Sequence, residues 1–568
     1  MRSRAVMYLA ATVALSATVC AQEPPRRLEV EPAVPKVIPL EVIQRGIAAR
    51  VDLILAAQRE DGSFNLGDKV YVVYPFGSTG LAVTALQYAR PHLKGERRTR
   101  VFEAIRKGLS YLTQRRHELK TYSAAFVILP LYADSPTRHR KRIGAAAEML
   151  CLGQHDKTRP ALTGMWGYNL RARSGRQRRV VGAVETWGDN SNTQIALLGL
   201  YFAQRAGFQV PRAVWLRARD HYRRTQSRTG GWGYADRSRP QPSLNMTIAG
   251  TISLNLCNEM LLKPTTQCKP PRTDPHVRGG LKWIVDHWDA GALGGDPYGL
   301  YTLERLGILM GRANIGGHDW YNEGARACLT STRIAAWEGA FTSAHCFAVM
   351  FLARGLEPIV INKLERRDTD PSDSDGASGF RRSDWNNTPY DIKHLTEYIQ
   401  DHYQLPVQWR IVTLEAPKHV LGKTPILYIA GHEKLTFTDA ERRKLKAYLT
   451  EGGTILANAC CSKRAFDKSF RDLVKQLFDR ELQVIPKSHR IYERMKTRGH
   501  APKPRIEVLT LDDQLKRPAI LYLPHGIARN WHLGGKGADR YFAVGAGIYL
   551  YVTTDARKMF ERSQPGAK

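Results

Sequence analysis

Aromatic, amide and acid side chains recur in this chain just before or within strongly apolar segments: Trp187, Asp189, Asn192, Asn245, Tyr298, Tyr301, Glu304, His318, Asp319 and Trp320. Rings beside hydrogen-bonding groups suit recognition of carbohydrate, peptide or lipid head groups. The competing role for Trp and Tyr at such turns is to pack one repeat on the next, and Trp166 and Trp232 fit it better than Trp187 or Tyr298. The second set of reactive types is sulfur and imidazole. Cys460 and Cys461 follow the run TILANA directly, His432 ends PILYIAGH, and His525 follows PAILYLP. Eight cysteines less Cys20 leave seven, an odd number without CxxC spacing, so neither a disulfide framework nor a zinc site is expected. No metal or cofactor is called for. Cys257 and Cys268 are the pair placed to bridge in an oxidising compartment.

The elements that must position these residues show a repeat. Apolar helical segments start near Thr79, Tyr122, Thr193, Met246, Tyr298 and Thr342, a step of roughly fifty residues, in the range of helix-pair repeats. Two of the turns before them agree closely: Gln58 and Gln226 each stand four residues before a glycine, with an aromatic, Phe64 or Trp232, two residues after it. Looser versions occur at TGMWGY, GALGGDPYG and AAWEGAF. Helices apolar around most of their circumference must be buried on most sides, so an inner apolar set wrapped by outer amphipathic helices is expected over residues 40–364. Residues 365–384 are polar, rich in turn formers, and read as a linker that joins the two parts flexibly. Beyond it, over residues 380–562, short β-rich runs alternate with helices, which predicts a smaller α/β domain with an at least partly parallel sheet. Thr438 with Glu441 forms a capping-box sequence, and Gly452-Gly453 a helix stop.

The ends of the chain and its charge bear on location. Arg2 and Arg4, the apolar run Ala5 to Val19 and the small residue Ala21 read as a secretory signal over residues 1–21, followed by an extended Pro-rich lead-in over residues 22–39. The mature protein is therefore expected outside the cytoplasm, periplasmic or secreted. No later apolar run is long and uncharged enough to span a bilayer. Lys and Arg number 85 against 53 Asp and Glu, a net charge of +32. That excess favours an anionic envelope polymer, lipid head group or acidic protein as partner, and no nucleic-acid fold signature accompanies it.

With the turns and apolar helices in view, residues 40–364 resemble the α/α toroid of squalene-hopene cyclases and protein prenyltransferase β-subunits, carried by the two Gln-x-x-x-Gly-x-aromatic turns and by GGHDWYNEGARACL at Gly316. The resemblance implies six helical hairpins closing into (α/α)6 rings around a ligand cavity, with the aromatic, amide and acid set at its mouth and His345 as a further cavity candidate. Cyclases of that family need an aspartic acid kept protonated by neighbouring carboxylates, within Asp-x-Asp-Asp-Thr. Here the matching run is Asp189-Asn190-Ser191-Asn192-Thr193, with Ser191 and Asn192 where the acids belong. The prenyltransferases hold zinc with an Asp-x-Cys pair and a later histidine. His345 stands in a similar context, but Asp296-Pro297-Tyr298 has tyrosine for the cysteine, and Cys346 points about 100° away from His345 on the same helix.

Residues 380–562 resemble a family catalogued as domain of unknown function 4159, whose fold is similar to class I glutamine amidotransferases, through ILYIAGHEKLTFTDAERRKLKAYLTEGGTILANACC. That implies a flavodoxin-like sheet and a nucleophile position at Cys460 or Cys461, served by His432 or His525. The glycines of a nucleophile turn and the glutamate after His525 are missing. Together these readings predict an exported, non-catalytic binding or scaffold protein. The alternative is an enzyme, with isoprenoid chemistry in the helical domain or thiol chemistry in the C-terminal one.

Overall fold

The computed structural model describes residues 37–65, 74–114, 118–174, 179–181, 185–235, 241–262, 274–331, 342–366, 384–416, 418–422, 424–495, 503–511, 517–535 and 537–556. The proposed signal, nearly all of the lead-in and most of the linker lie outside them. The described residues from Leu40 onward form one compact unit with a mostly helical first part and an α/β second part.

The helical part contains α1 (Leu40–Ala56), α2 (Pro75–Ala89), α3 (Gly95–Leu112), α4 (Thr121–Asp134), α5 (Arg140–Gly153), α6 (Asn190–Arg205), α7 (Arg212–Thr225), α8 (Leu244–Met260), α9 (Pro275–Asp286), α10 (Ala290–Gly294), α11 (Pro297–Leu309), α12 (Trp320–Thr330) and α13 (Thr342–Arg354). All six apolar segments are helices: α2, α4, α6, α8, α11 and α13. In α2 the buried residues run without a break from Phe76 to Leu86, as required of a helix with neighbours on every side. Each of the six packs on the next, and α13 packs back on α2. By contrast α3, α7 and α9 bury one stripe each, Val214, Trp215, Ala218, His221 and Tyr222 in α7 for example.

The repeated turn has a specific physical content. Gln58 Nε2 donates to Gly62 O at 3.2 Å and to Ala104 O of α3 at 2.9 Å, and Gln226 Nε2 donates to Gly230 O at 2.7 Å and to His276 O of α9 at 2.8 Å. Gln154 makes the same clasp, to Gly164 O and to Val214 O of α7, from ten residues before its glycine rather than four. Gly62, Gly164 and Gly230 all have φ between 86° and 100°, and a Cβ on any of them would lie 2.5 Å or less from a carbonyl oxygen of the next outer helix. The aromatic that follows turns inward. The main-chain N–H of Phe64, Trp166 and Trp232 donates to the hydroxyl of Thr79, Thr193 and Thr247 at 3.0–3.1 Å, which ties each turn to the next apolar helix.

The second part is a seven-stranded mixed sheet of β1 (Ile359–Leu364), β2 (Gln408–Val412), β3 (Ile426–Gly431), β4 (Thr454–Ala459), β5 (Gln483–Val484), β6 (Glu507–Thr510) and β7 (Pro518–Leu523), in spatial order β2-β1-β3-β4-β7-β6-β5. The first five in that order are parallel, and β6 runs antiparallel to both its neighbours, β7 and β5. The helices are α14 (Asp391–Tyr403), α15 (Lys418–Gly422), α16 (Asp439–Thr450), α17 (Arg464–Phe478), α18 (Ala528–Leu533) and α19 (Asp539–Leu550). One face of the sheet packs on α14, α18 and α19, the other on α16 and α17, so β3, β4 and β7 are buried along their whole length. Thr438 and Glu441 make the reciprocal capping bonds at the start of α16.

Two expectations are corrected here. The run Ile359–Leu364, assigned from sequence to the end of the helical region, is β1. A short, largely apolar run a few residues after an apolar helix carries no period that separates strand from helix. The two parts are also not loosely joined. Ile411 of the edge strand β2 donates its N–H to Gly311 O at 2.6 Å, Arg312 pairs with Glu365 at 2.6 Å, and α14 lays Lys393 against Glu259 of α8 and Tyr201 of α6 at 2.7 and 2.6 Å. Covering β2 in this way removes an exposed sheet edge. Glu397 also accepts from Lys393, at 2.7 Å, and from Tyr201, while Asp401 pairs with Arg205 at 2.8 Å. Burial works against the Lys393 charge, but Glu259 and Glu397 hold its ammonium well above the ordinary value.

Candidate functional sites

Because the apolar helices of consecutive repeats are entered through the same kind of turn, their N-termini collect polar side chains. Asp189 caps α6, its Oδ1 accepting from Asn192 N at 2.7 Å and its Oδ2 from Asn192 Nδ2 at 2.8 Å and Trp187 Nε1 at 3.2 Å. Burial pushes the Asp189 carboxyl up to about 6, against the pull of these donors. Asp296 caps α11 and accepts from Asn245 Nδ2, and burial raises its carboxyl too. Tyr298 donates to Gln194 Oε1 at 2.6 Å, Tyr122 bonds Ser191, and Tyr168 and Tyr234 share a hydrogen bond of 2.8 Å. Trp187, Tyr122, Tyr168, Tyr234, Tyr298 and Asn245 are each half-buried, whereas Asp189, Ser191, Asn192 and Gln194 beneath them are buried. The arrangement is a half-buried polar cluster, termed the basin, with phenol hydroxyls near a carboxyl whose charge burial disfavours. It donates and accepts hydrogen bonds, and Ser191 and Asn192 add neither an acid nor a base.

Of the residues singled out from sequence, Trp187, Asp189, Asn192, Asn245 and Tyr298 belong to this basin. Tyr301 and Glu304 do not: both are fully buried within α11, where Glu304 is paired with Arg305 and, at 3.6 Å, with Arg354. A carboxylate on an inner helix is as compatible with a buried ion pair as with a cavity wall, and sequence does not separate the two. His318, Asp319 and Trp320 lie beyond the C-terminal end of α11. His318 stacks on Trp288 at 4.7 Å, Asp319 caps α12, and the indole of Trp320 occupies the space above Gly307 and donates to Arg312 O at 2.6 Å. His345 is buried in α13. Between the helices Phe347 of α13 touches Phe126 of α4 and Tyr298 and Tyr301 of α11, so aromatic side chains bridge the space the apolar helices share. Sequence reasoning passed over Tyr122, Tyr168, Tyr234, Ser191 and Gln194 as ligand-facing groups. The repeated Trp-Gly-Tyr of residues 166–168 and 232–234 was the available signal for two of them.

The second site forms where three adjacent parallel strands end. His432 follows β3, Cys460 and Cys461 follow β4, and His525 lies two residues after β7. The crevice beyond the carboxyl ends of parallel strands is where open α/β sheets place ligands. His432, Cys460 and Cys461 each offer a ligand atom within 4.8 Å of the others, and the two sulfurs are 3.9 Å apart. His525 is exposed and stands outside that group. Burial pushes the Cys460 thiol up to about 12 and lowers His432, which is therefore a neutral imidazole at pH 7. Cys461 is disulfide-bonded, its partner lying outside the described residues. Neither sulfur is thus a ready thiolate nucleophile. Cys257 is a free thiol buried in α8, which corrects the expected bridge to Cys268. A cysteine on the buried face of a packed helix serves there as a small apolar side chain.

This strand-end crevice falls in a segment, residues 377–533, that matches the family model of a domain of unknown function, DUF4159. No curated protein matches the chain. The matched residues hold α14 to α18 and every strand of the sheet except β1. No helix among the described residues is long and apolar enough to cross a membrane.

Proposed function

We propose that this is an exported, non-catalytic binding or scaffold protein, in which an α/α toroid similar to that of the cyclases and prenyltransferases presents the polar basin to a ligand and an amidotransferase-like, flavodoxin-like module is packed against it. The cyclic packing order of α2, α4, α6, α8, α11 and α13 supports the toroid. The parallel order β2-β1-β3-β4-β7 supports the flavodoxin-like module. The observation that carries the functional reading is the basin itself: Asp189 is held by amide and indole donors, with Ser191 and Asn192 where a proton-donating site would need acids. Half-buried tyrosines and a tryptophan over hydrogen-bonding groups match the surface of a polyhydroxyl ligand such as an oligosaccharide.

Titrating the full chain with neutral and uronic-acid oligosaccharides, followed by tryptophan fluorescence, tests this reading. A saturable change is expected that Trp187→Phe diminishes and Tyr298→Ala abolishes. Absence of saturable binding to both classes, or binding that neither substitution alters, would count against the basin. Affinity falling with added salt for the uronic-acid class alone would trace that preference to the net charge of +32. The enzyme alternative with most structural context is thiol chemistry at Cys460, and its buried, protonated thiol speaks against it.

A further inference from the structure

The strand-end crevice holds a buried nitrogen with nothing to bond. His432 is 8 % exposed, its Nε2 has no hydrogen-bond partner, and the ring presents a nitrogen within 4.8 Å of two sulfurs. Leaving a buried polar atom unsatisfied costs about 1–3 kcal/mol, so its retention needs an occupant or a reason. The position of His432 is imposed from its main chain. Asp384 accepts from His432 N with both oxygens at 2.8 Å and from Glu433 N at 2.9 Å, and is itself paired with Arg366. A Cβ on Gly431 would lie 2.3 Å from Asp384 Oδ2, so only glycine lets the carboxylate reach this turn.

The sulfurs are placed with similar economy. Cys460 is 1 % exposed at the end of β4, and Cys461 has φ 55°, the left-handed conformation that folds the chain back within one residue. Gly526 closes over that turn, where a Cβ would lie 2.4 Å from Cys461 N. The separation of 3.9 Å between the two sulfurs is close to the ~3.8 Å spanned by two thiolates bound tetrahedrally at 2.3 Å to one zinc ion. While Cys461 is disulfide-bonded, its sulfur is not a thiolate, and His432 with Cys460 alone would make a two-ligand site.

We propose that reduction of the Cys461 disulfide by a dithiol completes a three-ligand site, His432 Nε2 with the Cys460 and Cys461 sulfurs, for a thiophilic d10 cation of the zinc type. The reducing dithiol gives two electrons and two protons and becomes a disulfide, while Cys461 and its former partner each become thiols. Binding the cation then forms two metal–sulfur bonds and one metal–nitrogen bond and releases the protons of Cys460 and Cys461. The neutral, unpartnered imidazole nitrogen binds without losing a proton or an existing hydrogen bond. The fourth position is left to water. Ligand spacing along the chain does not disclose such a site, since its donors come from the ends of two strands. The site stands independently of the basin in the helical part.

The test uses the full chain, reduced with a dithiol, desalted without oxygen and titrated with cadmium, against the unreduced protein. Reduced protein is expected to take up one cadmium ion with thiolate-to-metal charge-transfer absorbance, and unreduced protein none at this site. Cys460→Ser and Cys461→Ser should lose the signal and Cys151→Ser keep it. His432→Gln should keep the thiolate absorbance while affinity falls at least about ten-fold, the loss typical even of an outer-shell partner. Should a cysteine variant misfold, protection of Cys461, the more accessible of the two sulfurs, from alkylation by added zinc in reduced wild-type protein reads the same site. Equal uptake before and after reduction, a charge-transfer signal that survives Cys460→Ser, or alkylation that zinc does not slow would each overturn the proposal.

Discussion

Replacing Asp189 by asparagine should make the stability of this protein less dependent on pH, in a direction opposite to that of most carboxylates. Burial raises the folded-state carboxyl from its ordinary 3.8 to about 6. A raised acid contributes stability in its protonated form: the contribution is full below 3.8 and is lost as pH climbs through about 6. Two units at 1.36 kcal/mol each give about 3 kcal/mol, and the group is deep enough that solvent screening removes little of it. Asparagine keeps the N-cap acceptor for Asn192 N. Its new amide donor also has a partner waiting, because Asn192 Oδ1 makes no hydrogen bond and its side chain can turn that oxygen towards residue 189. Urea unfolding followed by tryptophan fluorescence from about pH 4 to about pH 7, with the variant subtracted from wild type at each pH, isolates this one group. Wild type should lose about 2.4 kcal/mol relative to Asp189→Asn across that range, since at about pH 4 the contribution is already short of its full value. A difference that stays flat to within about 0.5 kcal/mol would refute the assignment of a buried acid whose charge burial disfavours.

Other perturbations probe the scaffold. Lys393→Met leaves Glu259 with only His394, at 3.3 Å, and Glu397 with Arg205, so a loss of about 3–5 kcal/mol is expected in denaturant unfolding, and Lys393→Met/Glu259→Gln should recover much of it. If the double variant is no better than the single one, the pair is not what joins α14 to the helical part. Gly80→Ala would set a Cβ 2.0 Å from Phe126 O on α4, and should lower stability by about 1–3 kcal/mol or more, while Gly422→Ala, with open space around it, should be neutral. Iodoacetamide at neutral pH should leave Cys460 unmodified in the folded protein, as expected of a thiol raised to about 12, and rapid labelling followed by mass spectrometry would reopen thiol catalysis.

The six apolar helices were legible because near-complete burial writes itself into composition, and the Gln-x-x-x-Gly-x-aromatic turns because a clasp across two helices needs those types at that spacing. Gln154 shows the limit of that reading. Its clasp is equivalent, but six more residues separate it from its glycine, so only the fold aligns it with Gln58 and Gln226. β1 was hidden because IVINKL has no neighbours in sequence that tell a central strand from a helix end.

The sequence by itself determined which segments are buried, where turns must fall, and that the acid and zinc-ligand patterns of the resembling enzymes are broken at Ser191, Asn192 and Tyr298. These are properties of single residues or of short periodic runs. Tertiary structure alone decided that Glu304 is spent on Arg305 and Arg354, that Lys393 joins α14 to α6 and α8, and that His432 meets the cysteine pair across two strands. Each of those outcomes depends on which partner burial brings within a few ångströms, and the Coulomb and hydrogen-bond energies that follow are set by that distance and by the absence of water, neither of which the order of residues contains.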